Sequence, residues 1–166
     1  MFKIGQSSDI HPLVKNRKLI LGGVEIPHEV GLDGHSDGDA LCHAIAESII
    51  GALGEGDLGR HFPDTDERYR GVCSLMIVEA TAKLMRERGY EIGNIDALIM
   101  IEKPKMAPHI QMMKENLAKA LGCETSRINV KATRGEKLGY VGREEGVLAQ
   151  AVTLLTKNIK NTGITL

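Results

Sequence analysis

The chain has no tryptophan, two phenylalanines and three tyrosines, so aromatic residues make up only 3% of it. Its core must therefore be built from aliphatic side chains and methionine. The same shortage removes the stacking platforms on which single-stranded nucleic acid is commonly held. Positive charge is not in excess either: 21 lysines and arginines face 22 aspartates and glutamates, which excludes the broad field expected of a nucleic-acid binder. No basic amphipathic stretch suggests a membrane surface, and no apolar run reaches the length of a bilayer span. The cysteines, Cys42, Cys73 and Cys123, are isolated and odd in number, which argues against a disulfide framework and against a thiolate zinc site. A reducing compartment is expected. No basic segment followed by an apolar run opens the chain, so the expected location is cytoplasmic, or organellar after removal of a transit peptide.

The 166 residues are enough for one core, and one domain spanning 1–166 is expected. Ile4 to His11 reads as a strand. The short apolar runs Lys18 to Leu21 and Val24 to Ile26, divided by Gly22-Gly23, read as a hairpin, and residues 28–34 as a loop. Ser36 is the predicted N-cap of a first helix, with Asp37 and Asp39 near the positive end of its dipole; Leu41, Ile45, Ile49 and Leu53 recur at helical spacing up to Gly54. Residues 54–66, rich in glycine and acid, read as a long ordered loop without regular structure, of the kind that often carries function. A second helix is predicted over 72–88, a strand over 90–101, a third helix over 108–121 and a strand over 127–133, with Gly89 and Gly122 as helix stops. Residues 146–157 fit a buried strand or a helix by periodicity and are read as a strand. The fold class is α/β (α+β), a mixed β-sheet with helices packed on one face. Apolar residues on both alternations of the last strand call for cover on its second side, which in so short a chain points to another subunit.

Asp9 and His11, two apart on a strand, project to one face and can share an ion. His43, early in the first helix, is placed to join them if that helix packs over the strand. Three such ligands leave a fourth tetrahedral position open, as a catalytic zinc requires. A histidine in an apolar helix also serves as a hydrogen-bonded core residue, and the spacing alone leaves both roles open. His28, His61 and His109 lie in or beside turn-like sequence, where surface or capping roles are the default.

The chain resembles the 2-C-methyl-D-erythritol 2,4-cyclodiphosphate synthase family over nearly its whole length. The resemblance rests on Asp9-x-His11, Leu21-Gly22-Gly23-Val24-x-Ile26-Pro27, and His35-Ser36-Asp37-Gly38-Asp39 with His43. It continues through Gly56-Asp57-Leu58-Gly59 with Phe62-Pro63-Asp64-Thr65-Asp66, Asn94-x-Asp96 with Pro104-Lys105-Met106, and Val130-Lys131-Ala132-Thr133-x-x-Glu136-Lys137-Leu138-Gly139.

The resemblance implies zinc, or another divalent transition metal, on Asp9, His11 and His43, and a second ion, magnesium or manganese, on Glu136. It implies that His35 and Ser36 contact the reacting phosphate, with Asp9 and His11 beside it. Asp57, Leu58, Gly59, Phe62, Pro63, Asp64, Thr65 and Asp66 would hold the methylerythritol phosphate half. Ile101, Glu102, Lys103, Pro104, Lys105, Met106 and Ala107, with Thr133, Arg134, Gly135 and Glu136, would hold the cytidine half. It also implies a homotrimer with sites shared between subunits, and an isoprenoid diphosphate ligand near Tyr140 and Arg143. His35, Thr133 and Arg134 occupy the catalytic positions.

The implied reaction is intramolecular: the 2-phosphate of 4-diphosphocytidyl-2-C-methyl-D-erythritol 2-phosphate attacks the β-phosphate and CMP leaves. Pressing two anions together demands neutralising cations rather than a covalent nucleophile. Lys103, Lys105, Lys131, Arg134, Lys137 and Arg143 concentrate positive charge in the implied nucleotide segments. Two positions depart from the family pattern. Gly5-Gln6-Ser7 stands where Gly-x-Gly is usual, and Arg134 stands where the second threonine of Thr-Thr-x-Glu is expected to stabilise the transition state. A zinc-dependent phosphohydrolase and an inactive trimer that binds nucleotide or isoprenoid diphosphate are the competing functions.

Overall fold

The computed structural model describes residues 1–63 and 65–157. A five-stranded mixed sheet forms in the order β4-β1-β7-β5-β6, from β1 (Phe2–Lys15), β4 (Val30–Leu32), β5 (Tyr90–Met100), β6 (Ile128–Thr133) and β7 (Gly146–Lys157). β7 runs antiparallel to both β1 and β5, while β5 and β6 are parallel, joined through α4 (Ile110–Leu121). β2 (Leu19–Leu21) and β3 (Val24–Ile26) form the separate hairpin expected around Gly22-Gly23. The ambiguous last segment is a strand, at the centre of the sheet.

Helices cover one face. α1 (Ala40–Leu53) packs on β1 and β7, α4 packs on β6, and α3 (Ser74–Glu87) lies between the two helices. Gly5 allows the closest approach: a Cβ there would lie 1.8 Å from the Ser48 carbonyl oxygen of α1, so any larger residue would push the helix off the strand. Ser48 and Thr153, both buried, satisfy each other across that interface at 2.6 Å. The core is aliphatic, as the composition requires, with Leu41, Ile45, Ile49, Ile92, Ile95, Ile99 and Met113 fully buried.

The opposite face of the sheet has no cover among the described residues. Phe2, Ile4, Ile10 and Val152 are exposed there, and Leu98, Met100, Leu148 and Leu154 are only half-buried. Both alternations of β7 are rich in apolar residues, but only one packs against helices.

Three local readings are corrected. Ser36 does not cap α1. The cap is Asp39, whose Oδ1 accepts from Cys42 N–H at 3.0 Å, because Gly38 at φ +76° turns the chain away from the helical path before that point. The same carboxylate accepts from Gly22 N–H at 2.9 Å and Gly23 N–H at 2.7 Å, so it fixes the hairpin to the helix. Residues 54–66 contain one helical turn, α2 (Leu58–His61), capped by Asp57 through Arg60 N–H at 2.9 Å; a single turn is too short to show a period. β4 falls in the predicted 28–34 loop, where three residues extend the sheet's edge. A last turn, α5 (Gly139–Gly142), precedes β7.

Candidate functional site

Asp9 and His11 project from β1 toward the helix side, and His43 meets them from the first turn of α1. Asp9 Oδ2 lies 3.0 Å from His11 Nε2 and 3.1 Å from His43 Nδ1, and the two imidazole nitrogens are 3.2 Å apart. These three donor atoms form a nearly equilateral triangle. Zinc bonds of about 2.0–2.1 Å in a tetrahedral site put ligand atoms roughly 3.3–3.4 Å apart, so the triangle needs only slight expansion to take an ion.

The outer nitrogens explain why the inner ones are available. His11 Nδ1 is held by the Asp33 carbonyl, so Nε2 is the nitrogen turned inward. His43 Nε2 lies against two buried hydroxyls, Ser74 Oγ at 2.9 Å and Ser36 Oγ at 3.0 Å, with Nδ1 facing Asp9. The donor set thus fits a divalent transition metal. Burial pushes the Asp9 carboxyl up, but hydrogen bonds and positive charge from His11 and His43 outweigh it and hold the group well below the usual carboxylate range. Burial disfavours charge on His11 too, yet Asp9 overrides it and raises this histidine above its ordinary value.

A cavity of about 250 Å³ opens beside the triangle, lined by His11, His35, Ser36, His43, Leu58, Phe62, Tyr69 and Ile77. His35 thus lies on the wall of the cavity beside the triangle. Ser36 lines the same wall, but its hydroxyl points behind His43. Leu58 and Phe62 form part of the cavity, and Phe62 packs edge-on against Tyr69. Asp57 and Gly59 lie in the adjoining turn, whereas Pro63, Thr65 and Asp66 continue the loop, with Asp66 N–H bonded to the Pro63 carbonyl at 3.0 Å. Asp64 lies outside the described residues.

A second cavity of about 480 Å³ is lined by Ile101, Glu102, Lys103, Pro104, Lys105, Met106, Ala107, Ile110, Ala132, Thr133 and Arg134. The whole 101–107 segment singled out from sequence is therefore assembled around one space with Thr133 and Arg134. Its frame is tied by Ile101 N–H to the Thr133 carbonyl at 3.1 Å and Gly135 N–H to Glu102 Oε2 at 3.1 Å. Thr133, Arg134 and Glu136 are exposed, and neither the Arg134 guanidinium nor the Glu136 carboxylate has a hydrogen-bond or ion-pair partner among the described residues. Glu136 is not grouped with the three metal donors. No residue lines both cavities. Tyr140 is half-buried in α5, and the Arg143 guanidinium is held at 2.9 and 3.0 Å by the two carboxylate oxygens of Glu145.

Sequence reasoning missed several supporting residues. Arg17 donates to the carbonyls of Leu32, Gly34 and Ser36 at 3.0–3.1 Å, clasping the loop that carries Asp33, His35 and Ser36. Glu47 on α1 bonds Ser7 with one oxygen and Leu58 N–H with the other at 3.3 Å. Nothing near Arg17 in sequence signals a clasp. Glu47 is one charge in an otherwise apolar helix, and that was a usable signal.

The fold and the triangle of donors define an α/β protein with a candidate metal site between a sheet and the first turn of a helix. The YgbB family model matches residues 2–156, and the chain belongs to that family. It is 56% identical over 157 residues to the 2-C-methyl-D-erythritol 2,4-cyclodiphosphate synthase of a Geobacillus species, covering 95% of this chain and 99% of that relative. A synthase of the same name from Geotalea daltonii is 57% identical over 155 residues, 93% of this chain and 91% of the relative. Among solved structures, the bifunctional IspDF of Campylobacter jejuni superposes with a TM-score of 0.91 at 39% identity, over 95% of this chain and 42% of that longer one. The IspF of Plasmodium falciparum, solved as a CDP complex, gives 0.82 at 33% identity, over 94% and 96%.

Proposed function

We infer that this protein converts 4-diphosphocytidyl-2-C-methyl-D-erythritol 2-phosphate to 2-C-methyl-D-erythritol 2,4-cyclodiphosphate and CMP, a step of non-mevalonate isoprenoid precursor biosynthesis. The observation that carries this reading is identity of 56% to a synthase of that name along 99% of the relative's length. The reaction class is that of a phosphorus–oxygen lyase: one P–O bond forms from the 2-phosphate to the β-phosphorus, and the bond to CMP breaks.

Asp9, His11 and His43 would hold zinc, and Glu136 a magnesium or manganese ion; bound there, the cations would polarise and neutralise the phosphoryl oxygens. His35, on the wall of the first cavity, is within reach of an anion seated beside the triangle. Asp57, Leu58 and Gly59, with Phe62 to Asp66, would grip the methylerythritol phosphate, Leu58 and Phe62 supplying an apolar wall. Residues 101–107 would receive cytosine, and the unpartnered Arg134 with Thr133 would face the phosphates of the nucleotide. Holding both ends of a flexible substrate removes an orientational barrier that reaches roughly 7–11 kcal/mol in ideal cases.

A homotrimer gives these parts their common site. The apolar, uncovered sheet face supports association, and the separation of the two cavities within one chain supports sites built between neighbours. Tyr140 and Arg143 would lie near the shared axis, where an isoprenoid diphosphate would compete with Glu145 for the guanidinium. Free cysteines agree with a cytoplasmic setting.

Phosphorus NMR of purified protein with zinc, magnesium and the cytidine-linked substrate tests the reading. Cyclic diphosphate plus CMP is expected. Linear phosphates would make the protein a hydrolase, and binding without turnover would make it a sensor; either overturns the synthase reading.

A further inference from the structure

Behind His43, on the side away from Asp9, lie three polar side chains, two of them buried and the third, Asp37, half-buried. Ser74 is fully buried and Ser36 nearly so. Ser74 Oγ donates its single proton to Asp37 Oδ1 at 2.5 Å, while its own N–H goes to Asp37 Oδ2 at 3.0 Å. With that proton committed, Ser74 Oγ can only accept from His43 Nε2, 2.9 Å away. Ser36 Oγ, at 3.0 Å from the same nitrogen, can either donate or accept and so selects nothing. Asp37 is itself held in place: its N–H bonds the Val72 carbonyl at 3.1 Å, and the next link, from Gly71 N–H to the His35 carbonyl, is 2.8 Å.

We propose that Asp37 and Ser74 are positioning residues that set the His43 tautomer, forcing the imidazole proton onto Nε2 so that Nδ1 presents a bare lone pair toward Asp9 and His11. This rests on the reading of that triangle as the metal centre. A simpler role exists for Asp37, since Cys73, the residue before α3, makes no side-chain cap and Asp37 satisfies the helix's first N–H in its stead. Ser74→Ala separates the two roles. It keeps the N–H bond to Asp37 and removes only the hydroxyl that links Asp37 to His43.

In metal-free wild-type protein at alkaline pH, where Asp9 Oδ2 at 3.1 Å is the rival acceptor at Nδ1, long-range nitrogen–proton NMR should find a measurable share of the His43 proton on Nε2. Ser74→Ala should shift it toward Nδ1 and weaken zinc binding, read by chelator competition, by about 10–100-fold, the usual cost of losing such a partner. Asp37→Asn is the second variant: its amide can donate to Ser74 Oγ, turning that hydroxyl into a donor toward His43 and reversing the chain. It should move the tautomer and the affinity in the same direction. The proposal is overturned if wild-type His43 carries its proton wholly on Nδ1, or if Ser74→Ala leaves both tautomer and zinc affinity unchanged. A wild-type chain that takes up no zinc would sink the metal reading instead, with the metal-free tautomer measurement still standing.

Discussion

The two halves of the candidate site are built on opposite principles. Around Asp9, His11 and His43, both imidazoles have a partner on the outer nitrogen and all three groups are at least half-buried, so their geometry is set before any ligand arrives. Around Thr133, Arg134 and Glu136, the side chains are exposed and two of the three are charged and unpartnered. One chain completes the first half and only offers the second. The candidate metal donors are thus arranged by the fold of one chain, while the proposed nucleotide half leaves its charged groups open to whatever faces them.

The sharpest way to break the first half is Asp9→Asn, which keeps the shape and removes the charge opposing two imidazoles. Zinc content by elemental analysis should fall to background, and turnover should drop by on the order of 10²–10³-fold or more. Next in size, Val152→Glu places a charge at the middle of the uncovered face, opposite Gln6 and Asp96 in the sheet register. Light scattering should then report the mass of one chain, with cyclisation lost and zinc retained; loss of zinc as well would show the halves to be interdependent. Arg134→Thr tests the open half directly. We expect a change in kcat/KM of about 3–10-fold, because a guanidinium and a hydroxyl do not substitute for one another at a phosphate. Unchanged kinetics would remove Arg134 from the site.

The smallest effect concerns Asp96, whose carboxyl is held below its ordinary value of 3.8 first by Lys131, at 2.6 Å, and then by Asn129. A depressed folded-state value contributes stability above the unfolded value and loses it as pH falls through the folded one. Both partners are half-exposed, so the contribution is slight. In Lys131→Met, NMR titration should find the Asp96 value returned upward, with almost no change in the unfolding midpoint at neutral pH.

Long periodic elements were legible in the sequence. Leu41, Ile45, Ile49 and Leu53 announce α1, and the alternation in 90–101 announces β5, because burial of one stripe or face imposes a period. The shared face of Asp9 and His11 was legible as well, since a two-residue spacing on a strand puts both side chains on one side; His43 joined them only through the packing of α1, which the spacing alone left open. What stayed hidden depends on contacts between distant segments. Asp39 displaces Ser36 as the cap because hairpin residues Gly22 and Gly23 also need its oxygens, and no local pattern encodes that. Arg17 and Ser74 act on loops 15 and more residues away. α2 and β4 are too short to carry a period at all.

Glu47 has one further consequence. By gripping Ser7 on the strand that bears Asp9 and His11, and the first amide of α2 in the loop beside them, it couples these two pieces through a single rigid helix. Thermal displacements of the strand segment and of the α2 loop should therefore be in phase, their separation staying constant while the protein as a whole breathes.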